Sequence, residues 1–431
     1  MKKLLVFSLA LLTGLLLVPG EASSQQQAQV FQGARIIPIA GEVIPSGTLV
    51  VQDGAIVAVG AEGSVSVPSG AQVHDMSGKV IMPGLVDTHS HIGEGDGGDG
   101  SASLHPDVRI LDAIDPNSDS FYKALAGGIT SVNVMPGSGH LMSGRTVYLK
   151  LRKSDTIEGM LFVDDPMTEV AGGLKMANGT NPLGGSGPGT RAKSAAMVRE
   201  LFLQAQEYKR KKEAAESPED MPTRDLGMET LLEVLNGERI VHNHTHRHDD
   251  ILTAIRLSQE FGYRLVLQHV SEAWKVADEI AEAGVPASII TLDSPGGKLE
   301  AVDISYDNGP ALENAGVLTA YHTDDGITDS RLFLRSAAFG VRAGMSRDKA
   351  LEAMTIAGAK MMDIDRRTGT LEAGKDADFI VLSGDPLSVY THVEQTWVEG
   401  VKRFDRSDPD QRGYATGGYD VFRGHVYSHG H

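Results

Sequence analysis

Between residues 81 and 324 the sequence alternates short apolar runs with longer amphipathic ones, and this alternation restricts the fold more than any other feature of the chain. Strand-like runs stand at Ile81 to His89, Ile129 to Met135, Gly159 to Val163, Gly173 to Ala177, Arg239 to His246, Arg264 to Val270, Ala287 to Thr291 and Leu318 to Asp324. Helical runs stand at Lys193 to Glu213, Asp249 to Phe261, Glu272 to Ala283, Asp329 to Arg342 and Arg347 to Met362. Strands separated by helices imply parallel pairing, with the helices covering the sheet. Eight such strands fit a closed (β/α)8 TIM barrel, for which about 250 residues suffice. The count favours a closed barrel over an open doubly wound sheet.

Outside this region the chain is β-rich on both sides. Gly47 to Val51, Ala55 to Val59 and Gln72 to Asp75 precede it, while Ala377 to Leu382 and Gln395 to Val401 follow it. Two distant patches of one kind suggest a small discontinuous β-sandwich completed by both ends of the mature chain. The expected division is a signal peptide at 1–24, sandwich segments at 25–80 and 366–405, the barrel at 81–365 and a flexible tail at 406–431. The leader reading rests on Lys2 and Lys3, the apolar run from Leu4 to Pro19 and the small residues Ala22, Ser23 and Ser24. That run is shorter than the about 20 residues a bilayer span requires, so cleavage and export to the periplasm or beyond are expected, without stable membrane insertion afterwards. The Gly-rich turn Gly93 to Gly100 and the stretch Asn178 to Gly189 read as loops, and His425, His429 and His431 as part of the tail.

A net charge of −18 argues against affinity for nucleic acid or anionic lipid. The one basic run, Lys209 to Lys212, lies beside Glu207, Glu213 and Glu216 and reads as an exposed helical face. With no Cys, the chain forms no disulfide.

Chemistry concentrates at the ends of the strand-like runs. Asp87-Thr-His89-Ser-His91 closes the first, and residues two apart on a strand face the same side, so both imidazoles can address one point. His242, His244 and His246 share one face of another run, His269 ends the next, and His322 and Asp324 end the last. Neutral imidazoles at successive strand ends suit zinc and similar divalent ions.

Met82-Pro-Gly-Leu-Val-Asp-Thr-His-Ser-His91 resembles the first-strand motif of the amidohydrolases, and Gly369 to Leu382 is similar to the motif with which that family closes. The resemblance covers about Gln32 to Phe404 and points to the imidazolonepropionase-like and Xaa-Pro dipeptidase-like members. It implies that His89 and His91 bind the more buried metal position and that His269 is the sixth-strand ligand. His244 becomes the fifth-strand ligand because the family's His-x-His-x-x-x-x-Ile pattern aligns with His244, His246 and Ile251, a swap with His242 staying open. Asp324 then contacts metal and takes the proton of the attacking water, with Asp325 as the alternative holder. Lys175 is the position for a carbamylated lysine bridging two ions, with Glu169 close enough to compete.

His140, Arg145, Tyr148, His246 and His322 are the expected substrate contacts, and Pro295 to Glu300, with Lys298, has a similar status. One departure stands out: Thr180 occupies a position where such relatives often carry Glu. The expected activity is hydrolysis of an amide, peptide or cyclic amide C–N bond in a small molecule or short peptide. It would use one or two divalent ions, Zn2+ before others, and Asp324 as base and then acid. Deamination of a nitrogen heterocycle is the alternative substrate reading, a catalytically inactive binding or scaffold barrel is the rival class, and a homo-oligomer is an open option for either.

Overall fold

The structure is a computed structural model that describes residues 27–417, apart from 96, 185–186 and 291–297. The expected signal peptide and the histidines of the tail lie outside the described residues. Among the described residues, no helix is long and apolar enough to cross a membrane.

The central region is a TIM-barrel-like fold. Leu85–Ser90 pairs in parallel with Ile129–Val134. Leu174–Ala177, Val241–Thr245, Leu265–His269, Ala287–Ile289 and Thr319–Tyr321 form a second run of parallel ladders. The last strand returns to the first through the Asp324 N–H, which donates to His89 O (2.9 Å). Every residue of Val241–Thr245 and Leu265–His269 is buried, because helices cover the outer face and side chains fill the inner one. The register places His242 beside Lys175 and His244 beside Gln268, so alternate residues of neighbouring strands form layers inside the barrel.

One expected strand is corrected. Gly159 to Val163 is not part of the barrel; Glu158–Met160 is a 3₁₀ turn, and Leu161 makes only an isolated bridge to Leu149. Its place between the two ladders is taken by Met142–Arg145 and Val147–Lys150. Both run antiparallel to their neighbours, Val147–Lys150 along Ile129–Val134 and Met142–Arg145 along Leu174–Ala177. Val147, Tyr148, Leu149 and Lys150 are all buried there, whereas in the rejected run only Met160 and Leu161 reach full burial.

The two ends of the chain meet as expected, in one hydrogen-bonded sheet of eight strands. Phe379–Leu382 lies against Val80–Pro83, with Ile380 opposite Met82. Gln29–Ile36 splits its parallel pairing between Gln72–Asp75 and Val80–Pro83. This sheet has its own core, in which Phe31 meets Phe379 edge-on at 4.9 Å and Trp397 stacks on Phe379 at 5.5 Å. Val80–Pro83 leads straight into the barrel through Gly84, where any Cβ would collide with the Thr130 side chain.

Part of the expected tail is helical. Pro409–Thr416 is a helix capped by Asp408, and Tyr414 stacks on Tyr122 at 5.3 Å while donating to Asp119 (3.0 Å). The expected helix Arg347 to Met362 is two, Arg347–Glu352 and Ile356–Met361. The basic run lies on Arg191–Ala214, where Arg210 pairs with Glu207 (2.7 Å) and Lys212 with Glu229 (2.7 Å).

A buried cation is one of the links between barrel and sheet, beside the Arg152–Glu399 pair. Lys150 is fully buried, and its ammonium pairs with Asp376, with Asp378 (2.9 Å) and with Glu399 (3.4 Å), all from the C-terminal segment. Removing one partner of such a group strands the remaining charges away from water, at a cost of about 3–5 kcal/mol. Lys150→Met is therefore expected to lower unfolding free energy by about that amount, read from urea denaturation. A change below about 1 kcal/mol would mean that the cation is not what couples the two parts.

Candidate metal centre

The strand ends converge on one end of the barrel. His91 Nε2 lies 3.0 Å from Asp324 Oδ1, His89 Nε2 3.5 Å from the same oxygen, and His269 Nδ1 3.8 Å from Asp324 Oδ2. Three overlapping groups have ligand atoms within 4.8 Å of one another: His89, His91 and Asp324; His244, His246 and His269; and His89, His269 and His322. Lys175 Nζ reaches into the cluster, 3.0 Å from His89 Nε2 and 3.1 Å from Met135 Sδ.

The backbone accepts strain to place these groups. His269 (φ 72°), Val270 (φ 42°) and Asp324 (φ 51°) all occupy the left-handed region that non-glycine residues avoid, at about 1–3 kcal/mol each. Asp87 helps offset the cost at Asp324. One of its oxygens accepts from Thr323 N (3.0 Å) and His89 N (3.2 Å), the other from the Thr323 hydroxyl (2.5 Å), tying the last strand end to the first.

Other groups orient the imidazoles. His91 Nδ1 contacts Met135 O (2.8 Å), which leaves Nε2 facing Asp324. His246 Nδ1 meets the Ser271 hydroxyl (2.7 Å), and His322 lies between Ser288 Oγ (2.8 Å) and His269 Nδ1 (3.0 Å). His89 Nδ1 and His244 Nδ1 are buried with no partner among the described residues. His89 turns its other nitrogen, Nε2, to the cluster, so the unpartnered atom that points to an ion is His244 Nδ1, costly unless something fills it, and a divalent ion is the acceptor of lone pairs that this donor set suits.

Several expected residues lie elsewhere. Both ring nitrogens of His242 are engaged, by Tyr148 Oη (2.8 Å) and Gln268 Nε2 (3.1 Å), so it is His244 that retains a free nitrogen at the cluster. His242 fits because Gly173 lies against it, where a Cβ would collide with the ring. Tyr148, expected at the substrate mouth, borders a cavity of about 280 Å³ with Ile240 and Met362, at the strands' N-terminal end. Arg145 donates to Asp107 O (3.2 Å) and is influenced by Arg239 and Glu233. His140 is half-buried near His105, ring centroids 5.7 Å apart. Glu169 is exposed, and Asp325 is engaged by Lys123 (2.8 Å) and Ser330 N (2.9 Å). Glu300, the last residue of the stretch after the seventh strand run grouped with the expected substrate contacts, is buried with Oε1 3.5 Å from His244 Nε2.

Burial dominates the electrostatics. It pushes His242 and His322 down to about 3 and His244 to about 4, with Lys175 adding to the effect on each, and it holds His89, His246 and His269 well below their ordinary value. All are therefore neutral near pH 7, the form that binds metal. Burial likewise brings Lys175 down to about 7, against the pull of Asp324. For Asp324 burial opposes ionisation, but His89 and His91 outweigh it and hold the carboxyl well below the usual range. Glu300 is held at about 2, burial again being outweighed by His244 and the Thr180 amide.

A (β/α)8-type barrel with imidazoles, a carboxylate and a low-pKa lysine gathered at one end defines a metal-binding hydrolase scaffold. Residues 247–403 match the model described as the amidohydrolase family. An amidohydrolase structure from Thermotoga maritima superposes with a TM-score of 0.81 at 34% identity, covering 88% of this chain and 100% of that one. Amidohydrolase tasK of Hapsidospora irregularis is 27% identical over 394 residues, 83% of this chain, and the chain spans only 40% of that protein's length. Imidazolonepropionase of Mesorhizobium japonicum is 24% identical over 410 residues, 84% of this chain and 93% of its own. The chain belongs to the amidohydrolases and has the architecture of a metal-binding enzyme of that family.

The neutral buried imidazoles set a pH dependence for the metal-free protein. Their folded-state pKa values lie below the unfolded value of 6.5, so the unfolded chain binds more protons as pH falls through that value. Stability contributed by their burial is complete above about pH 7 and declines from there towards pH 4. Chelator-treated protein is expected to show a falling thermal midpoint from pH 7 to pH 5; a flat profile would contradict burial in the neutral form.

Proposed function

We propose that the chain hydrolyses an amide, peptide or cyclic amide C–N bond in a small molecule or short peptide. The observation that carries this reading is the Asp324 carboxylate, held ionised within 3.0–3.8 Å of three imidazoles from two strand ends. His89, His91, His244, His269 and Asp324 would hold one or two divalent ions, Zn2+ before others, with Lys175 available as a bridging ligand once carbamylated. A bound ion would supply a Lewis acid for the scissile carbonyl and would acidify the attacking water.

The protein's own groups do the proton work. Asp324 accepts the proton of the attacking water and returns it to the leaving nitrogen, so the C–N bond breaks as the amine becomes neutral. His246, beside the ligand set, would donate to the developing oxyanion or leaving group, while His322, with both ring nitrogens engaged by Ser288 and His269, would orient His269 instead. The imidazolonepropionase-like or Xaa-Pro dipeptidase-like assignment is supported by the full-length similarity to imidazolonepropionase, and the basic, apolar N-terminal run supports export.

Lys175 makes the two-ion version of this reading chemically reasonable. A buried amine with a pKa near 7 is substantially unprotonated at pH 7 and able to attack carbon dioxide; the N–C bond forms, a proton leaves, and a cation becomes an anion with two donor oxygens. Protein supplied with 13C-bicarbonate is expected to show a carbamate carbon resonance that grows from pH 6 to pH 8 and is absent in Lys175→Ala. Detection of the same resonance in that variant would remove Lys175 as its source.

Metal analysis tests the remainder. The purified protein is expected to hold one or two equivalents, reduced in His89→Ala, while Asp324→Asn retains the fold and loses about 10²–10⁴ in kcat on dipeptides, N-acyl amino acids or cyclic amides. Protein purified without chelators yet free of metal would favour the binding-protein alternative.

A further inference from the structure

Glu300 lies in the short turn Leu299–Ala301, and its carboxylate is completely buried. A buried carboxylate is costly unless its oxygens are engaged. Oε2 accepts from the Thr180 N–H, and a Cβ on Gly179 would collide with it, so the loop following Leu174–Ala177 is packed directly over this oxygen. With the Asn181 amide oriented to satisfy its neighbours, its nitrogen donates to Oε1 (3.3 Å), while its oxygen accepts from Lys298 Nζ (3.1 Å) and Ser138 Oγ (2.8 Å). The remaining approach to Oε1 is made by His244 Nε2 at 3.5 Å. On the opposite side of that ring, Nδ1 is buried and without a partner among the described residues.

These contacts select one tautomer. A carboxylate accepts and never donates when ionised, so the nitrogen facing it must carry the ring proton, and the lone pair is then left on the other nitrogen. We infer that Glu300 is a positioning residue that fixes His244 with Nε2–H towards its own carboxylate and the Nδ1 lone pair towards the metal position, while clamping the Gly179–Asn181 loop beside the site. The inference rests on the metal-centre reading above. It goes beyond that reading by assigning the ligand atom of His244 and by bringing a residue from the turn after Ala287–Ile289 into control of the Val241–Thr245 strand end. A carboxylate behind a metal-bound histidine raises ligand basicity and restricts ring rotation, and loss of such a partner costs about 10–100-fold in metal affinity.

The test uses the whole protein, its metal removed and restored as Zn2+ or Cd2+. Glu300→Gln retains the size of the side chain but presents the ring with a much weaker acceptor; Glu300→Asp keeps the charge and shortens the reach. By chelator competition, Glu300→Gln is expected to bind as many equivalents as the parent at saturation, with about 10–100-fold weaker affinity at the His244 position. Glu300→Asp should recover part of the loss. In 15N-histidine protein loaded with 113Cd, the coupling assigned to His244, by its absence in His244→Gln, is expected on Nδ1. Coupling through Nε2, or unchanged affinity in Glu300→Gln while the parent binds metal normally, overturns the inference and leaves the hydrolase reading intact. Loss of a whole equivalent from Glu300→Gln at saturating metal, with an unchanged thermal midpoint of the metal-free protein, would instead make Glu300 a ligand and overturn its positioning role. A parent that binds no metal fails the reading on which the inference stands.

Discussion

Burial of ionisable side chains in neutral or paired form is the constraint on which this structure depends. His89, His244, His246, His269, His322 and Lys175 are all essentially excluded from water at one end of the barrel. None of the imidazoles can be protonated cheaply there, and Lys175 can be charged only beside Asp324. Such a set is unfavourable as a hydrophobic core and has little purpose as a scaffold. It becomes favourable when a cation shares the imidazole lone pairs, and this links the fold to hydrolytic chemistry more tightly than the barrel shape, which hosts many reactions.

Much of the barrel was legible because period and chemistry coincide. The Asp-Thr-His-Ser-His segment ends a buried strand, and its alternation alone determines that His89 and His91 share a side. The same rule placed His242, His244 and His246 on one face but could not rank them. That ranking depends on depth in the barrel: His242 lies one layer lower, against Tyr148 and Gln268, and only the parallel register with Leu265–His269 reveals it. The family resemblance favours Asp324 over Asp325, but the physical difference between them is a lysine two hundred residues away, Lys123, which engages Asp325 and leaves Asp324 to the histidines.

Other features had no sequence signal. Gly159 to Val163 is as apolar as a barrel strand, and nothing local shows that Val147–Lys150 occupies the position instead, in the opposite direction. The decisive contact is again distant: Lys150 must reach Asp376, Asp378 and Glu399, contributed by the far end of the chain, and only the antiparallel path buries it among them. Tyr148 was drawn to the wrong end of the barrel for the same reason. Its position shortly after the second strand run groups it with His140 and Arg145 at the mouth, whereas the reversed strand Val147–Lys150 carries it to the cavity bordered by Ile240 and Met362. Glu300 stands out in sequence only as the end of a stretch after the seventh strand run; its link to Thr180 and His244 has no local signal.

These distant contacts also explain how strained backbone persists at the site. His269, Val270 and Asp324 would each relax if their neighbours allowed it, at a gain of about 1–3 kcal/mol apiece. They are prevented by bonds that do not involve any ion: Asp87 to Thr323 and His89, Asp325 to Lys123 and Ser330, and Ser288 between Thr88 and His322. The donor set is therefore assembled by the protein before a ligand arrives, and binding energy need not be spent on gathering it. Preorganisation of this kind places the cost of the site in folding, where a large buried core can absorb it. It leaves Asp324, the one of these three residues that carries a charge, ionised beside His89 and His91.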